Sequence, residues 1–241
     1  MKDLSWLSRT EALIGRTAVE KLANSHVMVL GLGGVGSFAA EFICRAGVGK
    51  MTIIDGDTVD PSNRNRQLPA LATNHGEAKA EIMRERLLAI NPELDLTVIQ
   101  DFIIPEKIPA LLDLAPDYCV EAIDSITPKL FFIRRALEAN IPFVSSMGAG
   151  GKVDPTKIQI ADIGKSYNCK LAQHIRKKLR KHGIRNGVKV AFSTELPDKN
   201  SLLYTDGSNF KKSAYGTMSY LPAAFGGAIA SVAIRDLIEN A

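Results

Sequence analysis

Residues 27–66 read VMVLGLGGVGSFAAEFICRAGVGKMTIIDGDTVDPSNRNR, and the order of their parts decides the fold. An apolar run at 27–30 enters a glycine loop, Gly31-Leu32-Gly33-Gly34-Val35-Gly36. An amphipathic stretch follows, then a second apolar run at 51–54 that ends on Asp55. The spacing predicts strand, tight turn, helix and strand, with an acid at the tip of the second strand. Glycines let backbone N–H groups approach phosphates at a helix N-terminus, and the acid takes ribose hydroxyls. This pattern alone admits a dinucleotide or ATP.

The next residues separate the two. Asp57 follows Asp55 at a spacing of two, and Ser62-Asn63-Arg64-Asn65-Arg66-Gln67 comes shortly after. A dinucleotide site has little use for a dense Asn/Arg/Gln cluster, because its pyrophosphate is already satisfied by the loop. A site that holds a triphosphate and stabilises departing pyrophosphate needs such a cluster. Arginine makes bidentate, permanently charged contacts to phosphate, and clamps of this kind stabilise charge during transfer.

Outward from this stretch, strands and helices alternate. We expect strands at 27–31, 51–55, 96–101, 117–121 and 142–146, and helices at 35–46, 75–90, 105–113 and 127–139. Such alternation predicts an α/β, Rossmann-like fold whose mostly parallel sheet carries helices on both faces. Residues 157–163 and 187–194 read as an antiparallel C-terminal extension around a basic helix at 167–182. The stretch 197–213 reads as a polar, mobile loop, and an apolar helix follows at 222–238. We expect one domain over 1–241, with a nucleotide-binding core at 1–150 and an extension at 151–241. Residues 1–24 read as helical and carry Arg9 and Arg16.

Two further side chains fall at informative places. Lys79 lies in the first turn of helix 75–90, where its charge opposes the macrodipole and a nearby phosphate would justify it. Asp124 ends the fourth strand, at the carboxyl edge where open α/β sheets bind ligands. A carboxylate there can hold Mg²⁺ with a triphosphate, or it can cap the next helix, a task that Ser125 shares.

The formal charge of +4 is unevenly spread. Residues 163–194 contain nine Lys/Arg and no acid, so the rest of the chain is net negative. That asymmetry suggests a polyanionic partner. Cys44, Cys119 and Cys169 form no CxxC pair, which argues against a disulfide framework. The N-terminus lacks the layout of a signal peptide and no apolar run reaches membrane-spanning length, so a cytoplasmic protein with no membrane partner is expected.

With these residues placed, the chain resembles the ubiquitin-activating-like (ThiF/MoeB-type) adenylyltransferases. The likeness rests on Gly31-x-Gly33-Gly34-x-Gly36, Asp55-x-Asp57, Asn63-x-x-Arg66-Gln67, Lys79 and Asp124. Within them it is most similar to the tRNA threonylcarbamoyladenosine dehydratases. That narrower likeness rests on Ser8-Arg9-Thr10-Glu11, on residues 148–155 (GAGGKVDP), on 192–195 (FSTE) and on 221–227 (LPAAFGG). It covers nearly the whole chain.

The resemblance implies that Asp55 binds ribose, that Asn63, Arg66 and Lys79 bind phosphates, and that Asp124 binds the Mg²⁺ of ATP. Arg9 would reach into a partner subunit's site, which implies a homodimer. The substrate would be tRNA, cyclised with loss of water after its threonylcarbamoyl carboxylate is adenylated. Arg176, Lys177, Lys178, Arg180 and Lys181 would track its backbone. The missing CxxC pairs imply no structural zinc, and Cys169 is the only candidate for a reactive thiol. The resemblance also admits a sulfur-transfer partner protein. Three rivals remain: adenylation of a Gly-Gly carrier tail, NAD-dependent oxidation, and non-catalytic RNA binding. The missing CxxC pairs and the basic segment weigh against the first, Arg66 and Gln67 against the second, and the intact acid and base set against the third.

Overall fold

Every residue of β1, His26–Leu30, is buried, because parallel neighbours flank it on both sides. These are β2 (Lys50–Ile54) and β4 (Tyr118–Glu121). A strand covered on both faces reads as a continuous apolar run, which is how Val27, Met28, Val29 and Leu30 appear in the sequence. In the computed structural model, which describes residues 3–204 and 213–239, β3 (Asp95–Ile99) pairs outside β2, and β5 (Phe143–Ser146) outside β4. The seven-stranded sheet is completed by β6 (Ile158–Asp162) and β7 (Lys189–Ser193), in the order β3-β2-β1-β4-β5-β7-β6.

The α/β, mostly parallel architecture is therefore as expected, with one refinement at its edge. Strand β7 pairs parallel to β5 and continues the main sheet, while β6 alone turns antiparallel against β7. A two-stranded antiparallel ribbon, β8 (Leu202–Tyr204) with β9 (Ser213–Tyr215), stands apart. Of the mobile loop expected at 197–213, residues 205–212 lie outside the described residues, while the rest includes a 3-10 turn at Lys199–Ser201, strand β8 and the first residue of β9.

The helices are α1 (Ser8–Ile14), α2 (Arg16–Asn24), α3 (Gly36–Arg45), α4 (Lys79–Ile90), α5 (Ile108–Leu112), α6 (Ile126–Glu138), α7 (Lys170–Lys181) and α8 (Tyr220–Glu239). Two apolar clusters cover the two faces of the sheet. One gathers Ile43, Met83, Leu87, Phe225 and Ile229; the other gathers Ile108, Phe132, Ile133, Ile175 and Leu179. Helix α8 is long and apolar enough by length and composition to cross a membrane. Its Leu221, Phe225, Ile229, Ala233 and Leu237 are buried, and it packs on α3, β4 and β5. At roughly 1.5–3 kcal/mol for each large apolar side chain removed from water, this packing is a major contribution to the core.

Helix α4 begins at Lys79 and not at residue 75. Residues 75–78 are held back by an antiparallel bridge between Thr58 and Ala78, and the Lys79 N–H donates to the Asp57 carbonyl at 3.1 Å. The expected apolar spacing survives in Met83 and Leu87, which are buried.

Candidate active site

Strand order reverses at β1: β2 and β3 lie on one side, β4 and β5 on the other. Open α/β sheets bind ligands in the crevice outside the strand ends at such a point. Register makes the crevice well defined. Leu30 sits level with Ile54 and with Glu121, so loop 31–35, residues 55–57 and residues 122–125 leave the sheet together. Two bonds lock the departure: Gly31 N–H donates to the Ile54 carbonyl and Ala122 N–H to the Leu30 carbonyl, both at 2.9 Å.

Glycine is required at both ends of the loop. Gly31 has φ +89°, and a Cβ there would stand 3.1 Å from the Ala122 carbonyl oxygen. At Gly36 a Cβ would fall 1.8 Å from the Gly31 carbonyl oxygen, which no side chain survives. The second constraint packs α3 tightly onto the loop, so its N-terminus points into the crevice.

A cavity of about 900 Å³ fills this crevice, lined by Gly31, Gly33, Asp55, Asp57, Gln67, Lys79 and Asp124 among others. Asp55 accepts from Leu32 N–H at 2.6 Å and from Asp57 N–H at 2.8 Å. Burial pushes its carboxyl above the usual range, against the pull of those bonds and of Lys79. Each oxygen retains a lone pair for a hydroxyl donor. Lys79 is buried, and its Nζ donates to Asp57 at 3.1 Å. The Gln67 Oε1 is buried with no hydrogen-bond partner among the described residues, an orphan that a ligand donor would satisfy.

Other expected site residues stand beside the cavity. Asn63 is buried and caps the turn Pro61–Asn65: its Oδ1 accepts from Asp60 N–H at 3.2 Å, while Asp60 accepts from Ser62 N–H at 2.8 Å. Arg66 is half-buried, with Nη1 donating to the Ser62 carbonyl at 2.9 Å and to Asn65 Oδ1 at 2.8 Å. Burial pulls its guanidinium down, while the charges of Asp124 and Asp60 work the other way. Gly34 packs against Arg66 and Pro222. Arg9 is exposed on α1 and does not line the cavity. Ser125 takes the N-cap position of α6, but its side chain makes no capping hydrogen bond.

Three features of the site were missed by the sequence reading. Residues 102–106 form one wall of the cavity, and only their place after β3 hinted at it. Glu121 and Lys129 pair beneath the site with both side chains fully buried. Lys129 also donates to Ser145 Oγ at 3.1 Å and to the Ser146 carbonyl at 2.9 Å. Glu121 accepts from Ile123 N–H at 2.7 Å, which fixes the turn that presents Asp124. The available signal was a glutamate inside the apolar run YCVEAI, since a carboxylate buried there needs a charged partner. The third feature is the place of Lys178, which the sequence put among the tRNA-facing cations and which lines the cavity from α7.

The glycine-rich turn after β5 lies outside the cavity lining. Its Gly151 N–H donates to the Gly216 carbonyl at 2.8 Å, and Glu195 accepts from Val153 and Asp154 N–H groups at 3.1 and 3.0 Å. Lys152 is buried beside it, donating to the Gly148 carbonyl at 3.1 Å. Cys169 is buried next to this turn, as Cys44 and Cys119 are elsewhere. Among the described residues no group of three or more His, Cys, Asp and Glu gathers to hold a metal.

On α7, Arg176 is tied inward. Its Nη1 donates to the Ser166 carbonyl and Oγ at 2.7 and 2.6 Å. Lys177, Lys178, Arg180 and Lys181 are exposed.

Known proteins share this fold. The chain is 39% identical over 244 residues to a tRNA threonylcarbamoyladenosine dehydratase of Bacillus subtilis, covering 98% of this chain and 96% of that protein. Crystal structures of the Escherichia coli tRNA N6-threonylcarbamoyladenosine dehydratase superpose on it at 36% identity. The AMP complex gives a TM-score of 0.89 and the ATP complex 0.90, each covering 100% of this chain and 98% of the other. The ThiF family profile matches residues 7–240. The chain belongs to the ThiF family.

Proposed function

We propose that this protein is an ATP-dependent tRNA threonylcarbamoyladenosine dehydratase. The observation that carries the reading is the convergence of loop 31–35, Asp55, Lys79 and Asp124 on one cavity at the strand-order reversal, on a chain that matches such dehydratases along its whole length.

The chemistry follows from the leaving group. Hydroxide leaves a carboxyl carbon poorly, so the threonyl carboxylate is activated first. One of its oxygens attacks the α-phosphorus of ATP, and the bond to pyrophosphate breaks. A nucleophile within the threonylcarbamoyl group then attacks the acyl carbon, and AMP departs with the oxygen that water would have taken. One proton is lost on ring closure. Asp55 holds the ribose, loop 31–35 offers N–H groups to phosphate, and Lys79 and Arg66 stabilise charge on the departing pyrophosphate. Their work is positioning and electrostatics, with no covalent adduct to the protein.

Mg²⁺ fits this site in one respect: it binds triphosphates through one or two carboxylates, phosphate oxygens and water. Asp124 at the mouth, with Asp57 in the wall, supplies that donor type. Bound there, the ion would neutralise phosphate oxygens.

Several finer points belong to the same proposal. Arg9, exposed on α1, acts in a second copy's cleft, so the working unit is a homodimer. Lys177, Arg180 and Lys181 on the outer face of α7 track the tRNA backbone. A cytoplasmic setting suits a tRNA substrate, and a sulfur-transfer partner is not needed for the chemistry above.

The test supplies Mg·ATP and tRNA bearing threonylcarbamoyladenosine, then weighs the digested nucleosides. Loss of one water, with AMP and pyrophosphate formed, is the expected result. Pyrophosphate exchange only with a Gly-Gly-ended carrier protein would overturn the reading.

A further inference from the structure

Helix α7 divides its cations by direction. Ala172, Ile175 and Leu179 form its buried stripe. At 100° per residue, Arg176 lies on one flank of that stripe and Lys178 on the other. The Arg176 flank is stitched to Ser166. The Lys178 flank meets the cavity that also holds Asp55, Lys79 and Asp124.

The charge balance there is unusual for a site that takes a polyanion. The lining carries four carboxylates, Asp55, Asp57, Glu106 and Asp124, against two ammonium groups, with the Arg66 guanidinium acting on Asp124 from beside it. One of those, Lys79, is already engaged by Asp57. Lys178 is the other, and it has no ion pair among the described residues. A lysine in the last turn of a helix gains modestly from the macrodipole wherever it points. That gain does not account for its placement on the cavity flank, facing a crevice built for phosphate.

We propose that Lys178 is a phosphate-binding residue of the nucleotide cleft itself, the point where the basic helix and the adenylation site meet. The phosphate comes from the nucleotide or from the RNA strand entering the mouth, and lysine binds either as a point charge. The inference rests on the reading of the cavity as an ATP site.

The experiment has two binding arms, each without the other ligand. Mg·ATP is titrated into the wild type, Lys178→Ala and Lys178→Arg; tRNA is titrated at fixed salt into the same proteins and into Lys177→Ala. Lys178→Ala is expected to weaken one ligand by roughly three- to tenfold, between the effect of a surface ion pair and that of a charged hydrogen bond. Lys178→Arg should retain most of the affinity. A loss in the ATP arm assigns the phosphate to the nucleotide. A loss in the tRNA arm larger than that of Lys177→Ala assigns it to the RNA. Unchanged ATP affinity, with a tRNA loss no greater than that of Lys177→Ala, overturns the proposal. A wild type that binds no ATP would instead overturn the reading of the cavity on which it rests.

Discussion

Lys129 donates to Glu121 with neither side chain exposed, and the same glutamate accepts from Ile123 N–H, one residue before Asp124. A fully buried ion pair thus underlies the turn that carries a cleft residue. Burial drives the Glu121 carboxyl upward, and Lys129 and Ser145 oppose that rise. Removing one partner strands a charge: Lys129→Ala should cost about 3–5 kcal/mol in denaturant unfolding. The double variant Glu121→Leu/Lys129→Met should recover most of that stability and still lose activity, because Ile123 N–H then has no acceptor. Full activity in the stable double variant would contradict a role for the pair in holding the turn.

Arg66 and Asp124 should behave differently from that pair. Both stand by the cavity mouth, outside the core. Arg66→Ala should cost at most about 1–3 kcal/mol of stability, from its bonds to Ser62 and Asn65, and lower kcat by about 10²–10³-fold, the scale seen when one preorganised charge-stabilising donor is removed. A loss of stability large enough to explain the lost rate would count against this account.

The cations of α7 divide into two kinds. Lys177→Ala and Lys181→Ala should each weaken tRNA binding and reduce the salt slope by about one, as for a lost phosphate contact. Arg176→Ala should instead cost roughly 1–3 kcal/mol of stability, because its charged hydrogen bonds to Ser166 are lost. Filter binding across a salt series, set beside thermal unfolding, separates the two behaviours.

Asp55 yields a pH prediction. Its carboxyl is raised mainly by burial, so the folded state holds its proton more tightly than the unfolded state. Stability attributable to Asp55 is therefore fully present below the ordinary carboxylate range and is lost as pH rises through the raised value. The stability difference between wild type and Asp55→Asn should shift in favour of wild type as pH falls from neutral toward 4. A difference independent of pH would show that Asp55 is not strained by its enclosure.

The proposed dimer, with Arg9 in the partner's cleft, predicts complementation. Mixing Arg9→Ala with Asp124→Asn subunits in equal amounts makes half of the dimers mixed, each with one intact site. Activity should rise from near zero to about a quarter of wild type if the copies associate with two-fold symmetry. No recovery after verified subunit exchange would place Arg9 outside the partner's cleft.

Much of this was legible in the sequence because local rules and global fold agree. The run from Val27 to Asp55 carries periodicity, turn chemistry and strand ends together, and the structure keeps all three. Lys79 was picked out from its position, although α4 starts at that residue and not four earlier; the bridge at Ala78 is a tertiary contact that periodicity does not report. Glu121 with Lys129 escaped notice because their pairing depends on how far α6 folds back over β4. Lys178 read as one cation among several, since a run of basic residues does not say which flank of its helix meets the sheet. Asn63 was placed by its motif as a phosphate ligand; the capping bond its side-chain oxygen accepts from Asp60 N–H is a local contact that the motif did not report.

The central claim is that the cavity adenylates a carboxylate on tRNA, and isotope transfer tests it most directly. The threonylcarbamoyl carboxylate is labelled with ¹⁸O, the modified tRNA is incubated with the protein and Mg·ATP, and the AMP is weighed. Attack of the carboxylate on the α-phosphorus predicts one ¹⁸O in AMP for each cyclised nucleoside. Cyclised nucleoside accompanied by unlabelled AMP would contradict the account.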